Sequence, residues 1–185
     1  MVQKIILLLA DVWAIVCLAQ MLLQWGGLRF DHPVAQFCKQ TTDKIVRPLR
    51  KIIPPWQQWD AVCVVAAALV YYLAFLVMIR FALPFVSLSK TVLAAAGLMA
   101  LNLSKAVAYV LLLGLLARMV LSVTRPEEPL VAVLQKIFRP LVQPFSIFRA
   151  GRYDFSGSVV ALAAWLWLTG FLPLAMNAVS GWLLQ

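Results

Sequence analysis

Lys44-Ile45-Val46-Arg47-Pro48-Leu49 returns later in the chain, with one change, as Lys136-Ile137-Phe138-Arg139-Pro140-Leu141. Each copy follows a long apolar run, and each is followed by an aspartate, Asp60 or Asp154, that leads into the next apolar run. Internal similarity of this kind indicates a duplicated structural unit. The pattern therefore predicts two similar halves, each with an apolar segment, a basic segment broken by proline, and a second apolar segment.

The predicted repeats are residues 1–85 and 86–185. Two registers relate them equally well: one aligns the two hexapeptides, and the other is shifted by four residues and aligns Pro33 with Pro129. Since each half contributes two apolar segments, both halves should cross a membrane in the same direction. Many secondary transporters rest on inverted repeats, although parallel ones also occur, so this arrangement weakly disfavours a transporter.

The composition predicts an all-α membrane protein. The 185-residue chain is 64% hydrophobic and only 12% charged, and its mean hydropathy is +0.92. Soluble domains are about 45–50% apolar and about a quarter charged. A water-soluble fold of this size could not bury so much apolar surface, so lipid must be the solvent.

Four apolar runs are long enough to cross about 30 Å of hydrocarbon. They cover approximately residues 5–25, 61–79, 91–121 and 159–184. An alternative for the long third run places residues 82–102 in the interface or in a re-entrant segment and begins the crossing near Lys105. About four transmembrane helices is the simplest prediction.

Charge predicts the orientation. The net charge is +9, from 16 Lys and Arg against 7 Asp and Glu. Most of the basic residues lie in two polar stretches, 26–60 and 122–158, which fall on the same side of the membrane if the chain crosses it four times. The positive-inside rule makes that side cytoplasmic. We therefore expect a multi-pass protein of the bacterial inner (plasma) membrane with both termini outside.

Each basic loop contains an amphipathic pattern. Residues 33–46 begin with a proline suited to the first helical turn, and in residues 130–141 apolar side chains recur at three- and four-residue steps. Such patterns fit helices in the membrane interface, with cations towards the headgroups. The residues predicted to bind anionic lipid or a partner are Lys44, Arg47, Arg50, Lys51, Lys136, Arg139, Arg149 and Arg152. Alternatively, the same charges serve only to set topology.

Prolines and aspartates have predicted structural roles in both loops. Proline ends or bends a helix because it lacks an N–H donor and crowds the preceding turn. An aspartate just before a span can accept hydrogen bonds from the free N–H groups of the first turn. The predicted structural residues are Pro48, Pro54, Asp60, Pro140, Pro144 and Asp154.

Two ionisable residues interrupt the apolar runs, Asp11 and Lys105. An ionisable group at bilayer depth costs roughly 2.5–3.5 kcal/mol on insertion scales and is a functional hypothesis by default. A pair formed by Asp11 and Lys105 could line a narrow ion pathway together with Asn102. In the alternative interpretation, Asp11 lies near the outer surface and Lys105 snorkels or marks a helix end.

Enzymatic and cofactor chemistry have little support. The single histidine, His32, precedes a proline, and the sequence contains no Gly-x-Ser-x-Gly, His-Glu-x-x-His or phosphate-binding glycine loop. The three cysteines form no Cys-x-x-Cys pair, so we expect no metal or other cofactor. The basic cluster at 47–51 has no accompanying aromatic motif for reading bases, so nucleic acid is not an expected partner.

The residues resemble a known family. Arg47-Pro48-Leu49-Arg50-Lys51-Ile52-Ile53-Pro54, with Asp60 shortly after, is similar to the signature loop of the YggT family, and residues 129–156 resemble its second copy. The second copy departs from the pattern: Ser146 and Ile147 replace two basic residues, and Ala150 replaces a proline.

The resemblance implies a multi-pass membrane protein without a defined biochemical activity. Bacterial relatives are linked with tolerance of osmotic shock, with ion uptake and with cell-division gene neighbourhoods, and plastid relatives with cytochrome complex assembly and nucleoid organisation. Two hypotheses follow. The first is a non-enzymatic scaffold or assembly factor that engages anionic lipid, a membrane-protein partner or another copy of itself through basic cytoplasmic loops. The second is a component of an ion channel or ion-uptake pathway under osmotic stress.

Overall fold

The structure is a computed structural model that describes residues 2–27, 33–49, 61–124, 127–143, 149–150, 153–154 and 156–184. Its helices are α1 (Val2–Gly26), α2 (Pro33–Leu49), α3 (Ala61–Ala82), α4 (Leu88–Thr124), α5 (Pro129–Val142), α6 (Ser156–Leu166) and α7 (Leu172–Leu184). A π-helical turn, Trp167–Phe171, joins α6 to α7. Two-residue strands β1 (Arg149–Ala150) and β2 (Tyr153–Asp154) pair before α6. The predicted all-α fold is confirmed, with this short pair as a local addition.

Four helical segments are long and apolar enough to cross a membrane: α1, α3, α4, and α6 continued through the π turn into α7. The protein is therefore a multi-pass membrane protein. The 22 residues of α3 correspond to about 33 Å at 1.5 Å per residue, close to the thickness of the hydrocarbon core. The long third run forms one continuous helix, α4, and not a re-entrant segment followed by a crossing that begins near Lys105.

The same order of elements occurs twice: an apolar helix, an amphipathic helix that begins at a proline, and a second apolar helix. The predicted repeat boundary near residue 85 falls in the connection between α3 and α4. The structure also explains why the sequence supports two registers. They differ by four residues, which is close to one helical turn, so both superimpose the same helical face. Cys38, Thr42 and Val46 on α2 are buried, and so are their counterparts on α5 in either register.

The core of the bundle is formed by α1, α3 and α4, and its contact surfaces are made of small residues. Ala14, Ala66 and Ala95, one from each helix, are completely buried. Small side chains let membrane helices approach closely, so dispersion contacts can replace the hydrophobic effect that lipid does not provide. The fourth spanning segment is peripheral, with only 11% of its apolar window buried inside the protein, against 28–39% for the other three.

Proline changes the last span locally without ending it. Pro173 has no N–H to donate to the preceding turn and its ring crowds the carbonyl four residues earlier. The π-helical turn directly before it accommodates this defect, and Thr169 donates its hydroxyl to the carbonyl of Trp165 at 2.9 Å. The local effect of Pro173 is therefore a widened turn within a continuous span.

Candidate functional site

An ion pair with a tyrosine lies between the three core helices. Lys105 of α4 places its Nζ 2.5 Å from Oδ2 of Asp11 on α1. Tyr71 of α3 donates its hydroxyl to Oδ1 of the same carboxylate at 2.7 Å. Tyr71 is completely buried, while the Asp11 and Lys105 side chains remain about one-fifth exposed. One carboxylate thus joins three helices through two charge-assisted hydrogen bonds.

The position of this cluster along the helices is deep. Tyr71 follows the first residue of α3, Ala61, by ten positions, or about 15 Å at 1.5 Å per residue, which is close to the middle of that span. A lone charge at this depth is costly, and pairing with a second charge and a hydroxyl offsets that cost. The geometry therefore favours the pairing of Asp11 with Lys105 over the alternative in which Asp11 lies near the outer surface and Lys105 snorkels or marks a helix end.

The third predicted member of the ion pathway has a different environment. Asn102 is almost completely buried, but its amide donates to the carbonyl of Leu98 in its own helix at 2.9 Å. The neighbouring Ser104 likewise donates to the carbonyl of Leu101. Asn102 lies about one turn from Lys105 on α4, and its described hydrogen bond is to the backbone of its own helix.

A buried polar contact attaches α2 to the bundle. The Thr42 hydroxyl hydrogen-bonds the side-chain oxygen of Gln20 on α1 and also contacts the carbonyl of Cys38 at 2.9 Å. Gln20 and Thr42 are both nearly inaccessible. Because buried polar groups without partners are costly, this contact fixes both the position and the rotation of α2 on α1.

Glycines on α1 and α4 allow α5 to pack close to both helices. A Cβ atom on Gly26 of α1 would lie 2.5 Å from Val133 and 2.8 Å from Ile137. A Cβ atom on Gly114 of α4 would lie 2.5 Å from the ring of Phe138. Real Cβ atoms essentially never make such contacts, so a larger residue at either position would force the side chains of α5 to shift. The amphipathic helix of the second half is therefore seated on α1 of the first half as well as on α4.

The polar faces of the two amphipathic helices are basic. Arg47 on α2 and Lys136 and Arg139 on α5 are exposed, on the side of each helix opposite its buried residues. The side chains of the other predicted lipid- or partner-binding residues, Lys44, Arg50, Lys51, Arg149 and Arg152, lie outside the described residues. Arg47, Lys136 and Arg139 thus all lie on exposed polar faces of the amphipathic helices. No described contact connects them to the Asp11–Lys105 pair.

The predicted structural residues are partly described. Pro48 and Pro140 each lie inside the last turn of their helix, which ends one residue later in α2 and two residues later in α5. The backbone of Asp154 pairs with Arg149 in the β1–β2 ladder, two residues before α6 begins. Pro54, Asp60 and Pro144 lie outside the described residues. The capping roles of the two aspartates remain predictions.

Sequence reasoning missed three functional candidates: Tyr71, Gln20 and Thr42. Each is an uncharged polar residue in a helix whose partner is distant in sequence. Gln20 interrupts the first apolar run, as Asp11 and Gln24 do, and a polar side chain within a span was the available signal. Within the part of the chain that the structure describes, no group of three His, Cys, Asp or Glu residues is placed to hold a metal ion.

Comparison with known proteins places this chain beside a family of similar sequences. The family model described as CCB3/YggT matches residues 1–94. The "Uncharacterized protein YggT" of Escherichia coli strain K12 is 26% identical over 155 residues, which cover 82% of this chain and 79% of the relative. Proteins of the same name from E. coli O6:H1 and O157:H7 show the same identity and coverage. No solved structure matches the chain.

Proposed function

The chain belongs to the CCB3/YggT family, and from that premise we propose that it is a non-enzymatic scaffold or assembly factor of the bacterial inner membrane. Its two amphipathic helices would engage anionic lipid or a membrane-protein partner at the cytoplasmic surface, and this activity would support tolerance of osmotic stress. The observation that carries the proposal is the exposed basic face shared by α2 and α5, at Arg47, Lys136 and Arg139.

The electrostatics support this interpretation. Exposed cations at the headgroup level are attracted to anionic lipid by about 1 kcal/mol per Lys or Arg. The described part of α5 carries two basic residues and no acidic one between Pro129 and Val142. Seating both helices on the bundle holds these charges in a fixed arrangement, which a docking surface needs and a disordered basic tail lacks.

The packing of the membrane bundle also supports a scaffold. The Asp11–Lys105–Tyr71 cluster and the close contacts of α5 at Gly26 and Gly114 join α1 to helices of both halves. Such contacts resist relative movement of α1, α4 and α5. A rigid platform with basic helices at one end is suited to holding other membrane components in place.

Charge reversal tests the scaffold proposal. Arg47→Glu combined with Arg139→Glu should abolish both the enrichment of phosphatidylglycerol around the purified protein and osmotic-shock survival of a bacterial strain that lacks its own family member. Replacing both residues with lysine provides the matched control and should preserve both properties. Full rescue by the charge-reversed protein, at equal membrane abundance, would refute the proposal.

A second candidate function is an ion pathway, and a specific observation favours it: a half-buried ion pair near the middle of a span, with Tyr71 on the same carboxylate. In this hypothesis Asp11 and Lys105 bind or select an ion that enters between α1, α3 and α4. One chain supplies few helices to enclose a pore, so this function requires several copies or a partner.

Ion flux into liposomes discriminates the two functions. Purified protein should be tested with and without an osmotic gradient, beside Lys105→Ala and Tyr71→Phe, which removes only the hydroxyl. Selective flux that is lost in Lys105→Ala and altered in Tyr71→Phe would establish the ion pathway. Absence of flux from folded wild-type protein would reject it and leave the scaffold.

A further inference from the structure

A cavity of about 600 Å³ lies where α1 ends against α5. The described residues that line it are Gln24, Trp25 and Gly26 from α1 and Lys136, Ile137 and Pro140 from α5. Its volume falls within the range of about 300–1,000 Å³ typical of small-molecule sites. It is therefore large enough for a specific ligand and is built from both halves of the chain.

Two glycines end α1 beside this cavity. Gly27 adopts a φ of +83°, a left-handed conformation that glycine takes without strain, and its N–H donates to the carbonyl of Gln24 at 3.0 Å. Gly26 has no side chain, so Val133 and Ile137 of α5 lie directly against the final turn of α1.

The lining combines hydrogen-bond donors with hydrocarbon. Lys136 supplies an ammonium group and Gln24 an amide, whereas Ile137 and Pro140 are apolar. Trp25 is the penultimate residue of a membrane-spanning helix, and tryptophan is enriched at the headgroup level of bilayers. The cavity therefore lies at headgroup depth and presents a cation there.

A second cavity lies beside the first, on the side of the membrane interior. It measures about 250 Å³, and its lining is almost entirely apolar, with Ile15, Ala19 and Leu22 of α1 facing Val110 and Leu113 of α4. Ile137 lines both cavities, so they are neighbours. From Leu22 to Ile15 the groove extends about 10 Å along α1, at 1.5 Å per residue. A polar chamber beside an apolar groove matches the chemistry of a phospholipid.

We propose that these neighbouring cavities bind one anionic phospholipid, with its phosphate at Lys136 and Gln24 and an acyl chain passing Ile137 into the groove between α1 and α4. The carbonyl end of α1 disfavours an anion nearby by about 0.3–1 kcal/mol, so binding depends on the Lys136 charge. This site deepens the proposed function, on which it rests, by assigning part of the lipid recognition to one discrete site.

Binding of short-chain phosphatidylglycerol to the full-length protein in neutral detergent tests the site, with phosphatidylcholine of the same chain length as the comparison. Native mass spectrometry should show one saturable phosphatidylglycerol per chain. Lys136→Gln should weaken this binding about tenfold or more, as expected for loss of a hydrogen bond to a charged group. Arg139→Gln is the comparison: it also removes a charge from the basic face of α5, but at a position that does not line the cavity, so it should weaken this binding by a smaller factor than Lys136→Gln, about threefold.

Two further probes separate the headgroup from the chain. Ala19→Phe should fill the apolar groove and weaken lipid binding, whereas glycerol phosphate, which has no acyl chain, should compete only weakly. Circular dichroism and the melting temperature without lipid establish that each variant folds. Competition by glycerol phosphate as strong as that by the lipid would overturn the assignment and indicate a free-anion site.

The remaining outcomes distinguish this inference from the proposed function. Equal losses in Lys136→Gln and Arg139→Gln would overturn the discrete site and leave a diffuse basic surface, so the proposed function would stand. Full affinity in Lys136→Gln would also overturn the site. Equal binding of phosphatidylglycerol and phosphatidylcholine by wild-type protein would overturn the site and the anionic-lipid function together.

Discussion

The amphipathic helices α2 and α5 end in nearly the same hexapeptide, yet the protein covers them differently. Phe37 on α2 is 63% exposed, whereas Phe138 on α5 is 1% exposed. The described buried side chains of α2 form one narrow line, Cys38, Thr42 and Val46, while α5 buries six residues across its apolar face. In a bilayer, the uncovered apolar edge of α2 would face lipid.

Their neighbours explain the difference. The α2 helix packs on α1 and α3 of its own half, while α5 packs on α4 and α6 of its own half and also on α1 of the other. Gly26 lacks the side chain that would obstruct the contact of α5 with α1, and Gly114 lacks the one that would obstruct its contact with α4. A duplicated sequence therefore does not produce duplicated environments, because the first helix of the chain is available to both amphipathic helices.

We expect the largest difference in stability between a variant that removes the ring of Phe138 and one that removes the ring of Phe37. Phe138→Ala should lower the free energy of unfolding by about 3–5 kcal/mol, as expected for a buried ring. Phe37→Ala should lower it by about 0.5 kcal/mol or less, since most of that ring has no protein contact. Denaturation in mixed micelles measures both values. Equal losses would contradict the different burial of the two helices.

Adding a methyl group where Gly114 meets Phe138 should have a smaller effect on stability. Gly114→Ala should destabilise the protein by about 1–3 kcal/mol, because the new methyl group overpacks against Phe138. Gly97→Ala is the matched control within the same helix, since its Cβ would meet Val179 at an ordinary 3.7 Å. Melting temperatures of the two variants make the comparison. A neutral Gly114→Ala would mean that α5 does not pack as closely as described.

The hydrogen bond between Thr42 and Gln20, which attaches α2 to α1, should contribute less to stability than the glycine contact. Thr42→Val keeps the side-chain shape but leaves the Gln20 oxygen without its partner, at a cost of about 1 kcal/mol for a contact of this kind between membrane helices. Thr42→Ser retains the hydroxyl and should stay close to wild type. A double-mutant cycle with Gln20→Leu measures the coupling, and a coupling of zero would show that the contact does not hold α2.

The smallest effect concerns the reactivity of Cys38, the one cysteine on α2. Burial raises the pKa of its thiol, so less of the reactive thiolate is present at a given pH than in an exposed cysteine. Its alkylation by iodoacetamide, followed by peptide mapping, should be slow at pH 8 and accelerate as the pH rises. Thr42→Val should increase the rate by loosening α2. Rapid alkylation of wild-type protein at pH 8 would contradict the described burial.

The sequence by itself determined the membrane class, the four spans and the two amphipathic helices. These features depend on local composition: about 20 apolar residues suffice for a span, and a period near 3.6 residues is enough to indicate an amphipathic helix. The hexapeptide repeat likewise predicted an order of elements that now recurs in the structure. Orientation stays a prediction, since it rests on loop charge alone.

Only the tertiary structure decided which side chains meet. The sequence shows Asp11 and Lys105 as costly charges within apolar runs. The hydrogen bond from Tyr71 to Asp11, however, depends on the orientation of α3 about its axis relative to α1. The close packing of α5 depends on two glycines far apart in the chain, Gly26 and Gly114, and the cavity beside Lys136 is lined by residues of both α1 and α5. Such pairings are set by helix packing between distant segments, and similar apolar surfaces permit many alternatives that local sequence patterns do not distinguish.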